Sequence, residues 1–298
     1  MKRDFNTVVF SPALNFFANK FVERWNLNLV LITLKTNVDK FKGSQDPLII
    51  VGAHFHNKSN PACVIFKKLL DGHKGPQVFL LGGAGDTNKF TAEYVRERNT
   101  RIPTYMHSQD DKSMAFLESL GMGHKKLYIP MKRYDRYKPT KLGNKIWFHV
   151  GFSSANRVKE RYGFDTVVKP IIEEFGKNRV RYINPDGPVR NEDFLHQRYN
   201  ESFVYIKPNP DHGSTTMWEL GRMGRRTICP GHSELQNVVT CETNLKDGKN
   251  IEHLISLIKQ EEKRIGTIQL EVSDITKSYH IQNDRWLKLN FWDRWNEK

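Results

Sequence analysis

The chain from Phe203 to Gly231 has the sequence FVYIKPNPDHGSTTMWELGRMGRRTICPG. Its first residues are apolar, which predicts a buried strand that ends at Ile206. A Pro-rich loop follows, and Ser214, Thr215 and Thr216 then open a predicted helix. Because a helix start offers unpaired N–H groups and the positive end of a dipole, this place in the chain suits a diphosphate.

Glu219 lies about one turn into the predicted helix, on the side that can face the same cleft. A carboxylate there can accept both hydroxyls of a ribose, as acidic residues do in other nucleotide-binding α/β folds. Gly213, in the loop before the helix, is included among the donor-binding residues of this stretch. Gly224 then permits a turn into the next predicted strand. The stretch therefore predicts a nucleotide site at the end of a strand.

Short apolar runs alternate with longer helix-like runs along the whole chain, which is typical of βαβ units and a parallel sheet. The predicted strands are Thr7–Phe10, Leu29–Leu34, Leu48–Val51, Gln77–Leu81, Thr104–His107, Lys126–Ile129, Lys145–Val150, Val180–Ile183, Phe203–Ile206 and Arg226–Cys229. The predicted helices are Ala13–Trp25, Pro61–Leu70, Phe90–Arg98, Ser108–Leu120, Thr166–Phe175, Thr215–Gly221 and Ile251–Ile265. With 298 residues the chain has room for two domains, and we expect the basic stretch Pro130–Gly143 to link them.

The stretch quoted first resembles the nucleotide-sugar signature of GT-B glycosyltransferases, especially family 4 (glycosyl transferases group 1). In that family an acid precedes a Gly-containing loop, and a Glu follows eight positions later on the helix. Asp211 and Glu219 have this separation, with Asp in place of the usual Glu. The run Trp218–Gly224 resembles the Leu-Glu-Ala-Met-Ala-x-Gly run of the family. The resemblance, which is good over about residues 200–231, implies that Asp211 faces the transferred sugar.

Other segments fit the same family. Residues 107–121 with Lys126–Pro130 resemble the last strand, helix and strand of its N-terminal domain. Residues 147–152, with a basic pair downstream, resemble the strand, glycine and cations that grip the donor phosphates. The donor-binding residues expected there are Gly151, Ser153, Arg157 and Lys159. The alternative is that the basic pair is a solvated surface feature of a basic protein.

The resemblance implies an α/β fold of GT-B type, with two Rossmann-like domains facing each other across a donor cleft and a C-terminal helix crossing back to the N-terminal domain. The expected parts are an acceptor-side domain over residues 1–140, a nucleotide-sugar domain over 141–280 and a crossover helix over 281–298. The C-terminal stretch fits the last part because its apolar residues recur with a spacing near 3–4: Trp286, Leu289, Trp292 and Trp295.

Two further turns, Gly52–His56 and Gly82–Asp86, follow predicted strands of the first domain, where parallel sheets bind ligands. An inverting enzyme needs a general base, and Asp86, His54 or His56 can serve as one. A retaining enzyme, which family 4 implies, relies more on donor-side groups such as Asp211. Many family members carry a His where this chain has two glycines.

The two histidines also allow other interpretations. Spaced two apart, they resemble a paired-His metal site, and the alternative for each is a structural role. Because no Asp-x-Asp occurs in the chain, we expect no metal. We expect no cofactor beyond the nucleotide sugar, which is a substrate.

The positive charge lies almost entirely in the first half of the chain. Residues 1–145 hold 24 Lys and Arg against 12 Asp and Glu, whereas residues 146–298 hold 23 against 21. The stretch Lys125–Lys145 is especially basic, and three tyrosines are interleaved with its cations: Tyr128, Tyr134 and Tyr137. Basic residues neutralise phosphates and aromatic rings stack on bases. The expected acceptor-binding residues are Lys132, Arg133, Tyr134 and Arg136.

The sequence therefore predicts a glycosyltransferase, a hexosyl- or pentosyltransferase, that moves a sugar from a nucleotide sugar to a hydroxyl acceptor. The preferred acceptor is polyanionic: a hydroxymethyl pyrimidine in DNA, as in phage enzymes, flipped out of the duplex. The competing enzyme is a peripheral membrane glycosyltransferase that acts on a lipid-linked or oligosaccharide acceptor. A third hypothesis is a nucleic-acid-binding protein without catalysis. The sugar, the base of the donor and the stereochemical outcome stay open.

The cysteines and the apolar runs bear on location. Cys63, Cys229 and Cys241 show no motif spacing, which favours reduced thiols in a cytoplasmic protein, with a Cys229–Cys241 bridge as the alternative. No apolar run approaches the roughly 18 residues that span a bilayer. We expect the N-terminus to form a strand and a helix rather than a signal peptide.

Overall fold

The computed structural model describes residues 7–10, 28–51, 61–81, 89–108, 111–122, 135–148, 163–182, 192–207, 215–230, 238–243 and 247–289. The chain divides into two compact units. Unit 1 comprises Met1–Tyr134 and His280–Lys298, and unit 2 comprises Asp135–Tyr279. The predicted helix Ala13–Trp25 and the predicted strand Lys126–Ile129 lie outside the described residues.

Unit 1 contains a sheet of five parallel strands. The strands are β1 (Thr7–Phe10), β2 (Asn28–Leu31), β3 (Leu48–Val51), β4 (Gln77–Leu81) and β5 (Thr104–Ser108), in the spatial order β2-β1-β3-β4-β5. The helices are α1 (Pro61–Gly72), α2 (Lys89–Asn99) and α3 (Asp111–Ser119), and a short 3-10 helix spans Asp39–Phe41. All four residues of β3 are buried, as expected for a central strand covered on both faces.

Unit 2 contains a second sheet of five parallel strands. The strands are β6 (Lys145–Phe148), β7 (Val180–Tyr182), β8 (Ser202–Ile206), β9 (Arg226–Pro230) and β10 (Val238–Cys241), in the spatial order β10-β9-β8-β6-β7. The helices are α4 (Lys169–Phe175), which continues a π-helix over Phe164–Val168, α5 (Glu192–Glu201), α6 (Thr215–Arg222) and α7 (Ile251–Glu262). A last helix, α8 (Leu270–Leu287), begins in unit 2 and belongs to unit 1 from His280 onward.

Both sheets have the same strand order when the strands are counted from the start of each unit: second, first, third, fourth, fifth. This is a doubly wound order in which ligands bind at the carboxyl ends of the first and third strands, where the winding reverses. In unit 2 those ends are Phe148 on β6 and Ile206 on β8. The prediction of an α/β chain with two Rossmann-like domains is confirmed, and the switch point of unit 2 lies at the stretch that carries the sequence signature.

The direction of winding decides which helices share a face of the second sheet. Parallel crossovers are right-handed, so the helices between β7 and β8 and between β8 and β9 lie on one face. These helices are α5 and α6. The opposite face carries α4 and α7, whose apolar residues Ile171, Leu254 and Ile258 form one core with the sheet. The pairing of α5 with α6 brings together the residues of the site described below.

The segment expected as a linker is partly a packed element. Tyr137 is 1% exposed with its ring 5.7 Å from that of His196, and Leu142 is buried. A Cβ at Gly143 would lie 2.1 Å from the carbonyl oxygen of Glu201, so the backbones there are in close contact. Residues 135–143 are thus part of unit 2, and Tyr137 is a core residue rather than an exposed ring for stacking on bases.

The C-terminal helix α8 begins at Leu270, earlier than the expected crossover helix over residues 281–298. Near its end, the Trp286 ring packs edge-on against His107 and Tyr105 of β5, with centroids 4.5 and 5.7 Å apart. The expected return of the C-terminal helix to the first domain is confirmed by these contacts. Trp292 and Trp295 lie outside the described residues.

The three cysteines are free and buried. Cys229 pairs in register with Thr240, so Cys241, the next residue, projects from the other face of the sheet. The pleat therefore explains why the Cys229–Cys241 bridge is not formed. Among the described residues, no helix combines the length and the apolarity that crossing a bilayer requires.

Candidate nucleotide-binding site

The strand at the centre of the site is β8, whose five residues are all buried. It pairs with β6 on one side and β9 on the other, and the Lys207 N–H extends the ladder by donating to the Ile228 carbonyl at 3.0 Å. The pairing thus continues to Lys207, at the carboxyl edge of the sheet, where ligands bind in folds of this kind. The loop over residues 208–214, including Asp211, Gly213 and Ser214, lies outside the described residues.

Helix α6 begins at Thr215, as the Ser-Thr-Thr run predicts. Its apolar side, Met217, Trp218 and Leu220, is buried, and this packing fixes the helix against the sheet. Thr215 and Thr216 are in its first turn, where backbone N–H groups lack partners within the helix. The predicted helix start at the carboxyl end of a buried strand is confirmed.

Glu219 is the charged residue that this packing places one turn into α6. It is 8% exposed, and its Oε2 accepts a hydrogen bond of 3.2 Å from the hydroxyl of Tyr199 on α5. The same hydroxyl lies 3.4 Å from Thr216 Oγ1. A carboxylate so deeply buried requires polar partners, and an O–H donor at this distance is one.

Tyr199 is itself held on several sides. It is 1% exposed, and its ring meets Trp147 of β6 edge-on with centroids 5.8 Å apart. Its carbonyl accepts a 2.7 Å hydrogen bond from Ser202 Oγ, which fixes the end of α5. Burial first, and then the charge of Glu219, raise the pKa of Tyr199 well above its usual value. The tyrosine is therefore a neutral hydrogen-bond donor at any physiological pH.

Lys207 adds a positive charge at the same edge. It directly follows β8 and is 7% exposed, so an ammonium group is enclosed next to the start of the loop. The charge of Lys207 lowers the pKa of the Cys229 thiol, although burial outweighs this effect and the pKa is raised to about 11. A buried cation at this edge suits an anionic ligand.

The turn after α6 depends on a glycine and on a buried arginine. Gly224 has φ +88°, a left-handed conformation that favours glycine, and a Cβ there would lie 2.9 Å from the Gln269 carbonyl oxygen. The expected role of Gly224 in turning the chain is confirmed. The fully buried Arg225 then donates to oxygens of Ser202, Thr140, Met223, Lys141 and Asn200. Burial lowers the pKa of Arg225 to about 10, so it stays cationic at neutral pH.

Of the expected acceptor-binding residues, the structure describes Arg136. Its Nη2 lies 2.5 Å from Oδ1 of Asp193, a side chain that is 81% exposed. Lys132, Arg133 and Tyr134 lie outside the described residues.

The remaining predicted residues also fall outside the described ranges. They are the candidate catalytic residues His54, His56 and Asp86 and the candidate phosphate-binding residues Gly151, Ser153, Arg157 and Lys159. In the part of the chain that the structure describes, no three His, Cys, Asp or Glu side chains gather as a metal site needs.

Sequence reasoning missed two residues of this site. Lys207 had a signal, because a lysine directly after an apolar strand at a ligand-binding edge is unusual. Tyr199 had none, because it lies on α5, a helix without a clear apolar period, and reaches Glu219 only through the tertiary fold.

No family model and no curated protein sequence matches the chain. Among similar solved structures is a T4 phage β-glucosyltransferase, at 14% identity and TM-score 0.49, over 95% of this chain and 97% of that one. A Methanocaldococcus jannaschii UDP-GlcNAc 2-epimerase, solved with UDP-GlcNAc and UDP, shows 11% identity and TM-score 0.46 over 94% and 99%.

The accessory secretory protein 1, 2 and 3 structure from Streptococcus pneumoniae shows 13% identity and TM-score 0.48 over 87% of this chain. The chain spans 55% of that protein's length.

Proposed function

We propose that the chain is a glycosyltransferase that binds a nucleoside-diphosphate sugar at the start of α6 and transfers the sugar to a hydroxyl acceptor. The observation that carries the proposal is Glu219: a carboxylate enclosed one turn into a helix that opens at the switch point of a parallel sheet, with a tyrosine hydroxyl on one of its oxygens. A relation to family 4 is part of the proposal and rests on the likeness over residues 200–231.

The groups at this edge match the parts of such a donor. The first turn of α6 suits the diphosphate, because its N–H groups and the helix dipole favour negative charge. The ammonium of Lys207 adds to the same preference. Glu219 then accepts from the ribose hydroxyls. Asp211, Arg157 and Lys159 are the further donor contacts that the sequence resemblance implies.

The transfer itself balances without a redox partner. The acceptor oxygen bonds to the anomeric carbon, the bond from that carbon to the diphosphate oxygen breaks, and the nucleoside diphosphate leaves with the electron pair. In an inverting transfer the acceptor proton passes to a base, for which Asp86, His54 and His56 are the candidates of the sequence, whereas the retaining transfer that family 4 implies relies more on donor-side groups such as Asp211. The anomeric configuration of the product gives the stereochemical outcome, and loss of transfer on substitution of one of these groups identifies the base.

A polyanionic acceptor is the part of the proposal that rests on charge. Residues 1–145 hold 24 basic against 12 acidic side chains, a balance that attracts phosphates. A hydroxymethyl pyrimidine in DNA combines such a backbone with the hydroxyl that the reaction needs. A lipid-linked or oligosaccharide acceptor is the alternative, and the transfer assay described below tests both.

The donor claim is tested by thermal shift with UDP, GDP, ADP, CDP and dTDP, followed by titration calorimetry. We expect one ribonucleoside diphosphate to stabilise the wild type, by about 2.7 kcal/mol at 100 times its Kd. Glu219→Gln should weaken that binding by about tenfold or more, because hydrogen bonds to a charged group are worth about 1.5–3 kcal/mol. Glu252→Gln, an exposed glutamate on α7, is the matched control. Equal affinity of wild type and Glu219→Gln, or no binding of any diphosphate, contradicts the proposal.

The acceptor claim is tested by transfer from radiolabelled nucleotide sugars. Duplex DNA with hydroxymethyl cytosine, the same duplex with cytosine, and a lipid-linked acceptor are offered in parallel. We expect label in the first alone. Label in the lipid fraction with none in DNA would contradict the DNA acceptor, while the proposal of a glycosyltransferase would stand. DNA binding without transfer supports the non-catalytic alternative only if no nucleotide binds and Glu219→Ala changes nothing, because any basic protein can show salt-sensitive DNA binding.

A further inference from the structure

Tyr199 and Glu219 come from different helices, yet they form one unit on the same face of the second sheet. The Tyr199 hydroxyl donates to Glu219 Oε2 at 3.2 Å and lies 3.4 Å from Thr216 Oγ1 in the first turn of α6. The tyrosine thus touches both the carboxylate and the helix start to which the proposed function assigns the ribose and the diphosphate.

We infer that Tyr199 is a positioning residue: its hydroxyl holds the Glu219 carboxylate in the orientation that accepts the hydroxyls of a ribose, and so lets the site select ribonucleoside over 2′-deoxyribonucleoside diphosphates. This inference rests on the proposed function, because it gives that site its selectivity.

The surroundings of Tyr199 suit it to this task. The ring is enclosed and meets Trp147 edge-on, and Ser202 fixes the backbone at the same residue, so the hydroxyl has little freedom to move. The raised pKa keeps the proton on the phenol oxygen, which can therefore always donate. A donor that is rigid and neutral orients a carboxylate without cancelling its charge.

The orientation matters because a carboxylate rotates. Each carboxylate oxygen has two lone pairs, so Oε2 can take the tyrosine proton and still accept from a ligand. With Oε2 fixed, the remaining lone pairs of Glu219 point in set directions, and two vicinal hydroxyls meet them together. A 2′-deoxy sugar offers one hydroxyl fewer and leaves an enclosed acceptor unsatisfied, which is the case in which polar sites discriminate strongly.

A purely structural role for Tyr199 has a different consequence. If the tyrosine only fills space between α5, α6 and the sheet, its loss loosens the site as a whole. Ribo- and deoxyribonucleotides then lose affinity by the same factor. The ratio of the two affinities therefore separates positioning from packing.

The test is titration calorimetry of the wild type and of Tyr199→Phe. The ligands are the ribonucleoside diphosphate of the panel above that binds and its 2′-deoxy counterpart. Tyr137→Phe is the matched control, since Tyr137 is equally buried in the same unit and its ring packs on His196. We expect the wild type to favour the ribonucleotide by at least about tenfold and Tyr199→Phe to weaken the ribonucleotide about five- to tenfold while changing the deoxyribonucleotide less than about twofold. Tyr137→Phe should leave the ratio unchanged.

A second variant keeps the inference testable if Tyr199→Phe does not fold. Glu219→Gln keeps the shape of the side chain and removes the charge that the tyrosine orients, so its selectivity ratio should fall to about that of Tyr199→Phe, and the double variant should add nothing further. An unchanged ratio in Tyr199→Phe, or additive effects in the double variant, overturns the inference and leaves the proposed function standing. Absence of binding of every diphosphate to the wild type overturns both.

Discussion

Arg225 and Glu219 are buried charges only six residues apart in the chain, yet their surroundings differ. Arg225 precedes β9 and is fully buried. Its three nitrogens donate hydrogen bonds to oxygens of five residues around the strand starts. Glu219 lies on α6, which opens at the carboxyl edge, keeps 8% exposure and has a tyrosine hydroxyl on Oε2.

The hydrogen-bond partners of a buried charge separate a structural charge from a functional one. At the edge where strands begin, the charge ties backbone segments together and its loss costs stability. Glu219 lies on a helix that opens where a strand ends, and we expect this charge to bind a ligand and its loss to cost affinity.

The largest effect should come from Arg225→Met. Removing the guanidinium leaves several enclosed oxygens without a donor, so we expect the free energy of unfolding of unit 2 to fall by about 3–5 kcal/mol. Urea unfolding followed by tryptophan fluorescence measures this. Glu219→Gln serves as the contrast and should lower stability far less while weakening the nucleotide. Similar stability losses in the two variants would remove the distinction between a structural and a ligand-binding charge.

In unit 1 a second arginine bonds backbone carbonyls near the start of a strand. We expect the stability of this region to depend on pH. Arg98 donates to the carbonyls of Leu70, His73 and Gly75, and His73 is fully buried. Burial, with Arg98 second, lowers the pKa of His73 to about 4. The unfolded chain therefore binds a proton near pH 6.5 that the folded chain refuses.

The contribution of neutral His73 to the free energy of unfolding is fully present above about pH 6.5. It declines by up to about 3 kcal/mol as the pH falls toward about 4. His73→Gln, which cannot take the proton, should show a correspondingly smaller loss between pH 7 and pH 4.5 in urea unfolding. His253→Gln, at an exposed position of α7, is the control. An acid response of His73→Gln equal to that of the wild type would refute this explanation.

A smaller loss of stability is expected from substitutions at Gly224, in the turn between Glu219 and Arg225. Gly224→Ala places a Cβ 2.9 Å from the Gln269 carbonyl oxygen at φ +88°, whereas Gly266→Ala at φ +80° meets open space. Both variants cost about 1–2 kcal/mol for the positive φ, and Gly224→Ala adds a clash. We expect a lower Tm for Gly224→Ala than for Gly266→Ala. Equal Tm values would mean that the turn adjusts without cost.

The strand β8 and the helix α6 could be predicted because local signals agree there: a short apolar run, a Pro- and Gly-containing loop, and Ser and Thr at a helix start. The turn at Gly224 could be predicted for the same reason. Each of these features depends on residues that are neighbours in the sequence.

The rest of the site could not be predicted because it depends on contacts between distant residues. Tyr199 meets Glu219 only because right-handed crossovers place α5 and α6 on one face of the sheet. Likewise, the basic, Pro-flanked segment from Asp135 to Gly143 has the composition of a linker, and only the tertiary contacts of Tyr137, Leu142 and Gly143 make it part of unit 2.

The central claim is that Glu219 and the start of α6 bind the nucleotide of a sugar donor. A crystal structure with the diphosphate that stabilises the chain tests this most directly. We predict the ribose hydroxyls within hydrogen-bond distance of the Glu219 carboxylate and the diphosphate against the first turn of α6. A nucleotide bound elsewhere, with Glu219 still bonded to Tyr199 and no ligand near it, would contradict the claim.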